Sequence, residues 1–379
     1  MRILFVSHIH PPEGDITQSV GGMQRVSGEL LCALHQEADL EVIPLLLQVP
    51  WSRIGPATAR FLARLLWTLP GLVKGQRADL VLFTSMVTAS ILPLLRPRIP
   101  VPCVAIAHGL DVTMPLFAYQ RWIRRVFASL DLVVAPSRAT IQACQARGLP
   151  AQKGAFVPNG IDLQRFAGVP PRPQARRILR ELGYQAPAEA PLLLSLGRWV
   201  RRKGFAWFLQ KVFPHLPPQT HYALIGDGPE REAIREAARP FSTRIWMPGK
   251  IPEAILGTAY AAADLFVMPN IPVPDDMEGF GIVLLEAALC STPVLASRLE
   301  GIQDAIQEPE MGWMLPPGEA PIWIERLSEL LADRSALHQK GAEARRHVET
   351  HYSWSRIIAR HRALWAALSG PGQATAESA

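Results

Sequence analysis

Cysteine is scarce in this chain, and the little there is carries no pattern. Cys32, Cys103, Cys144 and Cys290 lie far apart and form no C-x-x-C pair, so neither a zinc site nor a redox motif is expected. Scattered cysteines in a chain with no export signal fit a reducing compartment, and a cytoplasmic protein is expected. Long apolar runs are also missing: none reaches the ~18–20 residues that span a bilayer. The opening MRILFVSHIHPPEG is too short in its apolar stretch for a signal peptide and reads as a first strand and turn. A G-x-G-x-x-G dinucleotide fingerprint is not met, since IGDGPE (225–230) has only the first two glycines. Charged residues make up 19% against 49% hydrophobic, which excludes a disordered chain.

Acidic residues are missing from one region in particular. Between Trp51 and Leu130 there are ten cations (Arg53, Arg60, Arg64, Lys74, Arg77, Arg96, Arg98, Arg121, Arg124, Arg125) against two acids, Asp79 and Asp111. The whole chain carries +6. Such an asymmetry calls for an anionic partner: lipid, nucleic acid or a phosphorylated substrate. In LFAYQRWIRRVFASL (116–130) the apolar Leu116, Tyr119, Ile123 and Phe127 oppose Arg121, Arg124 and Arg125; RFLARLLW (60–67) adds Arg60 and Arg64 one turn apart. These segments suit an anionic membrane surface or, equally, core packing with a solvated face.

What is present is a double rhythm of strands and helices. A chain of 379 residues exceeds one ordinary core and suits two domains of roughly 150–200 residues. Near-continuous apolar runs mark strands at 2–7, 40–47, 78–85, 101–108 and 130–137, and again at 191–198, 220–228, 243–249, 263–270 and 292–297. Helical patterns lie between them, at 23–36 and 140–148 in the first half, at 231–239, 253–262 and around Glu286 in the second. Two sets of alternating units predict two doubly wound α/β domains. The Pro-rich stretch 158–177 reads as the linker, and 353–370 as a last amphipathic helix.

Candidate site residues gather at predicted strand ends. Gly21 and Gly22 precede a helix and allow either close approach of a ligand anion or a flexible turn. In GRWVRRKG (197–204), Arg198 ends a strand and Lys203 follows five residues later. That pair suits a diphosphate, with a forked and a point-charge contact, or else a solvated basic loop shared with Arg201 and Arg202. Glu286 lies inside the apolar run IVLLEAAL, where a carboxylate must be paired or costs several kcal/mol. A vicinal diol such as ribose would satisfy it, as would an internal ion pair to an arginine. Glu278 stands just before Gly279, Phe280 and Gly281, in position to project into a cleft. His108 ends the strand VPCVAIAH, where structural and catalytic roles are both open.

Assembled in order, these blocks resemble the retaining glycosyltransferases of family 4, with the GT-B fold. GGMQRVSGELLCAL, VVAPSRAT, VPNGID, LSLGRWVRRKG, LIGDGPERE, AYAAADLFVMPN, EGFGIVLLEA, STPVLAS and GWMLPPGE all follow the family's order. The most specific is Glu278-x7-Glu286. The resemblance implies two Rossmann-like domains facing across a cleft: an acceptor domain over 1–165 and a nucleotide-sugar domain over 166–350. It further implies a helix at 351–370 crossing back to the first domain, with a tail at 371–379. It implies that Arg198 and Lys203 bind the donor diphosphate and stabilise its departure without a metal or other cofactor. Glu286 would hold the ribose hydroxyls, and Glu278 would stand beside the donor sugar in a pocket lined by Gly279, Phe280 and Gly281. Gly22, with Gly21, would approach the diphosphate, His108 would face the sugar, and Ile251 would contact the base. The implied activity is hexosyl transfer, mannosyl or glucosyl, from GDP-mannose or a UDP-sugar to a lipid-linked or saccharide acceptor. A peripheral position on the inner face of the membrane would use the basic region 51–130. The segment NIPVPDDM before Glu278 is longer than the family's common form, which leaves the sugar open. A nucleotide-sugar 2-epimerase of the same fold and a non-catalytic sugar-nucleotide-binding protein are the alternatives.

Overall fold

The computed structural model describes residues 1–10, 21–49 and 53–368. The chain divides into two compact units, Met1–Ile161 with Ser353–Ala379, and Asp162–Tyr352. The expected tail at 371–379, the turn PPEG and the last two residues of the expected terminal helix lie outside the described residues.

The first unit is built on β1 (Arg2–His10), β2 (Glu41–Gln48), β3 (Leu80–Phe83), β4 (Cys103–Ile106), β5 (Leu132–Ala135) and β6 (Gly154–Phe156). They lie in the order β2-β1-β3-β4-β5-β6, every neighbouring pair parallel. Successive strand residues go to opposite faces. Leu4, Val6, Val81, Phe83, Cys103 and Ala105 enter one core, and Ile3, Phe5, Leu80, Leu82, Val104 and Ile106 the other. Both faces are covered, which is why these strands read as unbroken apolar runs. The second core is closed by helices Gly22–Gln36 and Trp354–Leu368, which bring Val26, Leu30 and Leu34 against Trp354, Ile357, Ile358 and Trp365.

The second unit contains β7 (Leu192–Arg198), β8 (His221–Asp227), β9 (Ile245–Gly249), β10 (Leu265–Met268), β11 (Val294–Ser297) and β12 (Gly312–Leu315). The order β12-β11-β10-β7-β8-β9, again all parallel, is the Rossmann order, with its reversal between β7 and β10. Ligands of such sheets bind outside the carboxyl ends of the strands at that reversal.

Three features differ from the sequence reading. β6 and β12 were not expected; at three and four residues they are too short to show a period. The linker 158–177 is not unstructured throughout, because helix Arg172–Glu181 begins within it. Pro173 sits in its first turn, where a missing N–H costs nothing, and Arg176 anchors it by an ion pair to buried Asp264 at 2.6 Å.

Candidate active site

Arg198 is the last residue of β7, and its exposed guanidinium has no ion-pair partner among the described residues. The chain then makes a one-turn 3₁₀ helix, Arg201–Lys203, closed by Gly204 in the left-handed region at φ 68°. A Cβ on Gly204 would lie 1.9 Å from the carbonyl oxygen of Pro269, so only glycine lets this turn pack against the end of β10. The turn buries Lys203 to 7% exposure.

Lys203 Nζ lies 2.7 Å from Glu278 Oε2. The same oxygen accepts from Asn270 Nδ2 at 3.1 Å and from Arg202 Nε at 3.4 Å. Arg202 also donates from its Nη1 to Asp276 Oδ1 at 2.8 Å. The backbone N–H of Glu278 donates to Glu300 Oε2 at 2.5 Å. Burial pushes the Glu278 carboxyl up, but Lys203 and then Arg202 outweigh it and hold it at about 2. Burial lowers the Lys203 ammonium, against the pull of Glu278. Burial raises Glu300, with Glu278 adding to the rise and its bonded backbone N–H opposing it. The resulting cluster is a compact, largely buried set of alternating charges at the β7–β10 reversal, next to a solvated arginine. Arg202 is therefore not the solvated loop residue that the sequence allowed.

Glu286 lies in helix Ile282–Leu289, whose N-cap is Gly281 at φ 89°. Its side chain is wholly buried. Tyr260 donates its hydroxyl to Glu286 Oε2 at 2.7 Å, and Arg165 Nε stands 3.9 Å from Oε1 while also pairing with Glu253. Glu286 thus has partners within its own unit, one of them the arginine that an internal ion pair would require. Phe280 and Gly281 are buried and Gly279 half-buried beside Glu278; Gly301 packs over this turn, since a Cβ there would lie 2.1 Å from Gly279 O. Ile251 is half-buried two residues beyond β9.

In the first unit, Gly21 is the N-cap of helix Gly22–Gln36 and donates its N–H to Gln24 Oε1 at 3.0 Å. That unit's strand order reverses between β1 and β3, and His8 and Ser85 meet there, Nδ1 to Oγ 3.2 Å. His108 lies just past β4, with Nε2 2.8 Å from Thr84 O. The carbonyl can only accept, so Nε2 carries a proton. Asp111 takes the backbone N–H groups of His108 and Met86 at 2.8 and 2.9 Å. Burial, reinforced by His108, lowers His8 to about 4. Sequence reasoning missed His8, Ser85, Asp111, Asn270, Asp276, Glu300 and Tyr260. Only their positions could have flagged His8, near the end of β1, and Ser85 and Asn270, just past β3 and β10.

Among the described residues no cluster of three or more His, Cys, Asp or Glu could hold a metal ion, and no helix is long and apolar enough to cross a membrane.

The sequence matches two family models, Glycosyltransferase Family 4 over residues 20–165 and Glycosyl transferases group 1 over residues 190–333. It is 29% identical over 259 residues to a GDP-mannose-dependent alpha-(1-6)-phosphatidylinositol monomannoside mannosyltransferase of Mycolicibacterium smegmatis, a match covering 66% of each chain. It is 31% identical over 244 residues to a sulfoquinovosyl transferase of Arabidopsis thaliana, covering 63% of this chain and 44% of the relative. Among solved structures it resembles the sucrose-phosphate synthase of Thermosynechococcus elongatus, with TM-score 0.76 and 21% identity over 97% of this chain and 99% of that one. A similar likeness, TM-score 0.71 at 18% identity, links 97% of it to the whole of the Anabaena HepE chain in complex with UDP-glucose. The two sheets and these likenesses give the two-domain α/β GT-B fold. With both models matched in order along it, the chain belongs to glycosyltransferase family 4.

Proposed function

We propose that the protein is a retaining hexosyltransferase that moves a sugar from a nucleotide-diphosphate donor to a lipid-linked or saccharide acceptor. The observation that carries this is the buried Lys203–Glu278 pair at the β7–β10 reversal, with Arg198 exposed at the end of β7 and without an ion-pair partner among the described residues. Arg198 supplies a planar fork and Lys203 a point charge for the diphosphate, which neutralise the charge that grows as the phosphate–sugar bond breaks. Glu278 Oε1 has no partner among the described residues and can accept from a sugar hydroxyl. The acceptor oxygen bonds to the anomeric carbon on the face the leaving phosphate departs from, and that phosphate takes the acceptor's proton. The anomeric configuration is thereby kept, without a metal. Glu286 binds the ribose hydroxyls in exchange for the Tyr260 hydroxyl.

GDP-mannose is the donor favoured, because the relative from Mycolicibacterium smegmatis is named for it. Purified protein incubated with GDP-mannose, UDP-glucose or UDP-galactose should release the nucleoside diphosphate, most of all from GDP-mannose and undiminished by EDTA. Arg198→Ala or Lys203→Ala should lower that release about 10²–10³-fold. Near-normal turnover in either variant would sink the proposal.

The acceptor is a lipid-linked or saccharide alcohol, and the protein works peripherally on an anionic, cytoplasm-facing membrane surface. Supporting this, helix Ile54–Gly75 has no acidic residue, and Arg60, Arg64, Trp67 and Lys74 lie on its exposed side. Trp67 is 88% exposed. An indole flanked by cations suits the headgroup layer. Sedimentation with vesicles containing anionic lipid, and not with neutral ones, is the expected result; equal sedimentation with both contradicts it.

A further inference from the structure

Lys203 faces two demands. In the structure its ammonium neutralises Glu278, at 2.7 Å, yet as a donor-binding cation it must turn to a diphosphate. A carboxylate 11% exposed and stripped of its only cation would be left as an uncompensated buried charge, which proteins tolerate poorly. Glu278 has a second cation. Arg202 is equally buried, reaches the same oxygen at 3.4 Å, and is held in place from the other side by Asp276 at 2.8 Å. Its planar guanidinium can hold two carboxylates at once, which a point-charge ammonium does less well.

We propose that Arg202 is a positioning residue: it keeps Glu278 neutralised so that Lys203 is released to bind the donor diphosphate. The role rests on the reading of Lys203 as a diphosphate cation. It also gives the lengthened segment before Glu278 a purpose, since its Asp276 is what orients Arg202. Three carboxylates (Asp276, Glu278, Glu300) face two cations (Arg202, Lys203) in this cluster, so removing either cation leaves the other contested. The neutralised Glu278 then offers Oε1 to the sugar while Oε2 stays on Arg202 and Asn270.

The test is the affinity of the full chain for GDP and UDP by calorimetry, with thermal unfolding as the check on folding. Arg202→Gln should weaken binding about tenfold, because Lys203 is then held by Glu278. On a Glu278→Gln background, where no carboxylate competes for Lys203, the same substitution should change affinity by less than about threefold. Arg202→Lys should keep most of the affinity. An equal loss on both backgrounds, no loss on the wild-type background, or a Lys variant as weak as the Gln variant overturns the role. Failure of the wild-type chain to bind either nucleotide overturns the diphosphate reading itself and is thereby told apart.

Discussion

At the scale of single residues, two glycines separate structural need from functional need. Gly204 is held at φ 68° with Pro269 O where a Cβ would stand. Gly204→Ala should cost about 2–3 kcal/mol in urea unfolding and move Lys203, so that nucleoside diphosphate binding falls with it. Gly21, at φ −64°, has no heavy atom of the described residues within 4 Å of its would-be Cβ position. Gly21→Ala should leave the unfolding midpoint where it is; a drop as large as that of Gly204→Ala would refute this contrast. The Lys203–Glu278 pair has its own pH signature. A carboxyl depressed to about 2 adds stability above its unfolded pKa of about 4.3, and that gain is lost as pH falls towards about 2. Glu278 could be singled out in the sequence because an acid beside glycines needs a reason. Arg202 could not, because a run of three basic residues looks solvated until Asp276 and Glu278 fold on to it.

At the scale of elements, helix Ile54–Gly75 is the clearest case of a face without a partner. Arg60→Gln with Arg64→Gln should abolish sedimentation with anionic vesicles and leave nucleoside diphosphate release from soluble donor unchanged. Loss of release in step with loss of sedimentation would mean that the substitutions had damaged the fold. Ten of the twelve strands among the described residues could be read from the chain, since parallel strands covered on both faces leave uninterrupted apolar runs. The missed pair, β6 and β12, are short and begin with glycines, which read as turns. For β12 the glycine is required: a Cβ on Gly312 would lie 1.9 Å from Val294 O. Pairing partners such as Tyr260 with Glu286 stayed hidden, because residues 26 positions apart meet only through tertiary packing.

At the scale of the whole molecule, the first unit should be the more acid-sensitive. It holds two buried histidines lowered by burial to about 4, His8 and His361. A depressed histidine favours the fold above its unfolded pKa of about 6.5 and forfeits that as pH falls through the folded value. Calorimetric unfolding of the first unit should therefore shift to lower temperature between pH 7.5 and pH 5. His361 Nδ1 has no hydrogen-bond partner among the described residues, so His361→Phe should cost little at pH 7.5 and remove much of the shift. An unchanged shift in that variant would place the sensitivity elsewhere. The chain leaves the first unit at Ile161 and rejoins it at Ser353, where the two residues form a bridge. During synthesis the ribosome thus delivers six strands, then an entire second unit, and only afterwards the helix whose Trp354, Ile357, Ile358 and Trp365 seal the first core. The apolar flank of helix Gly22–Gln36 waits uncovered through nearly two hundred residues of translation, roughly ten to forty seconds at ordinary rates. A nascent chain stalled before Ser353 lacks Trp354, Ile357, Ile358 and Trp365, and the second core of its first unit stays open.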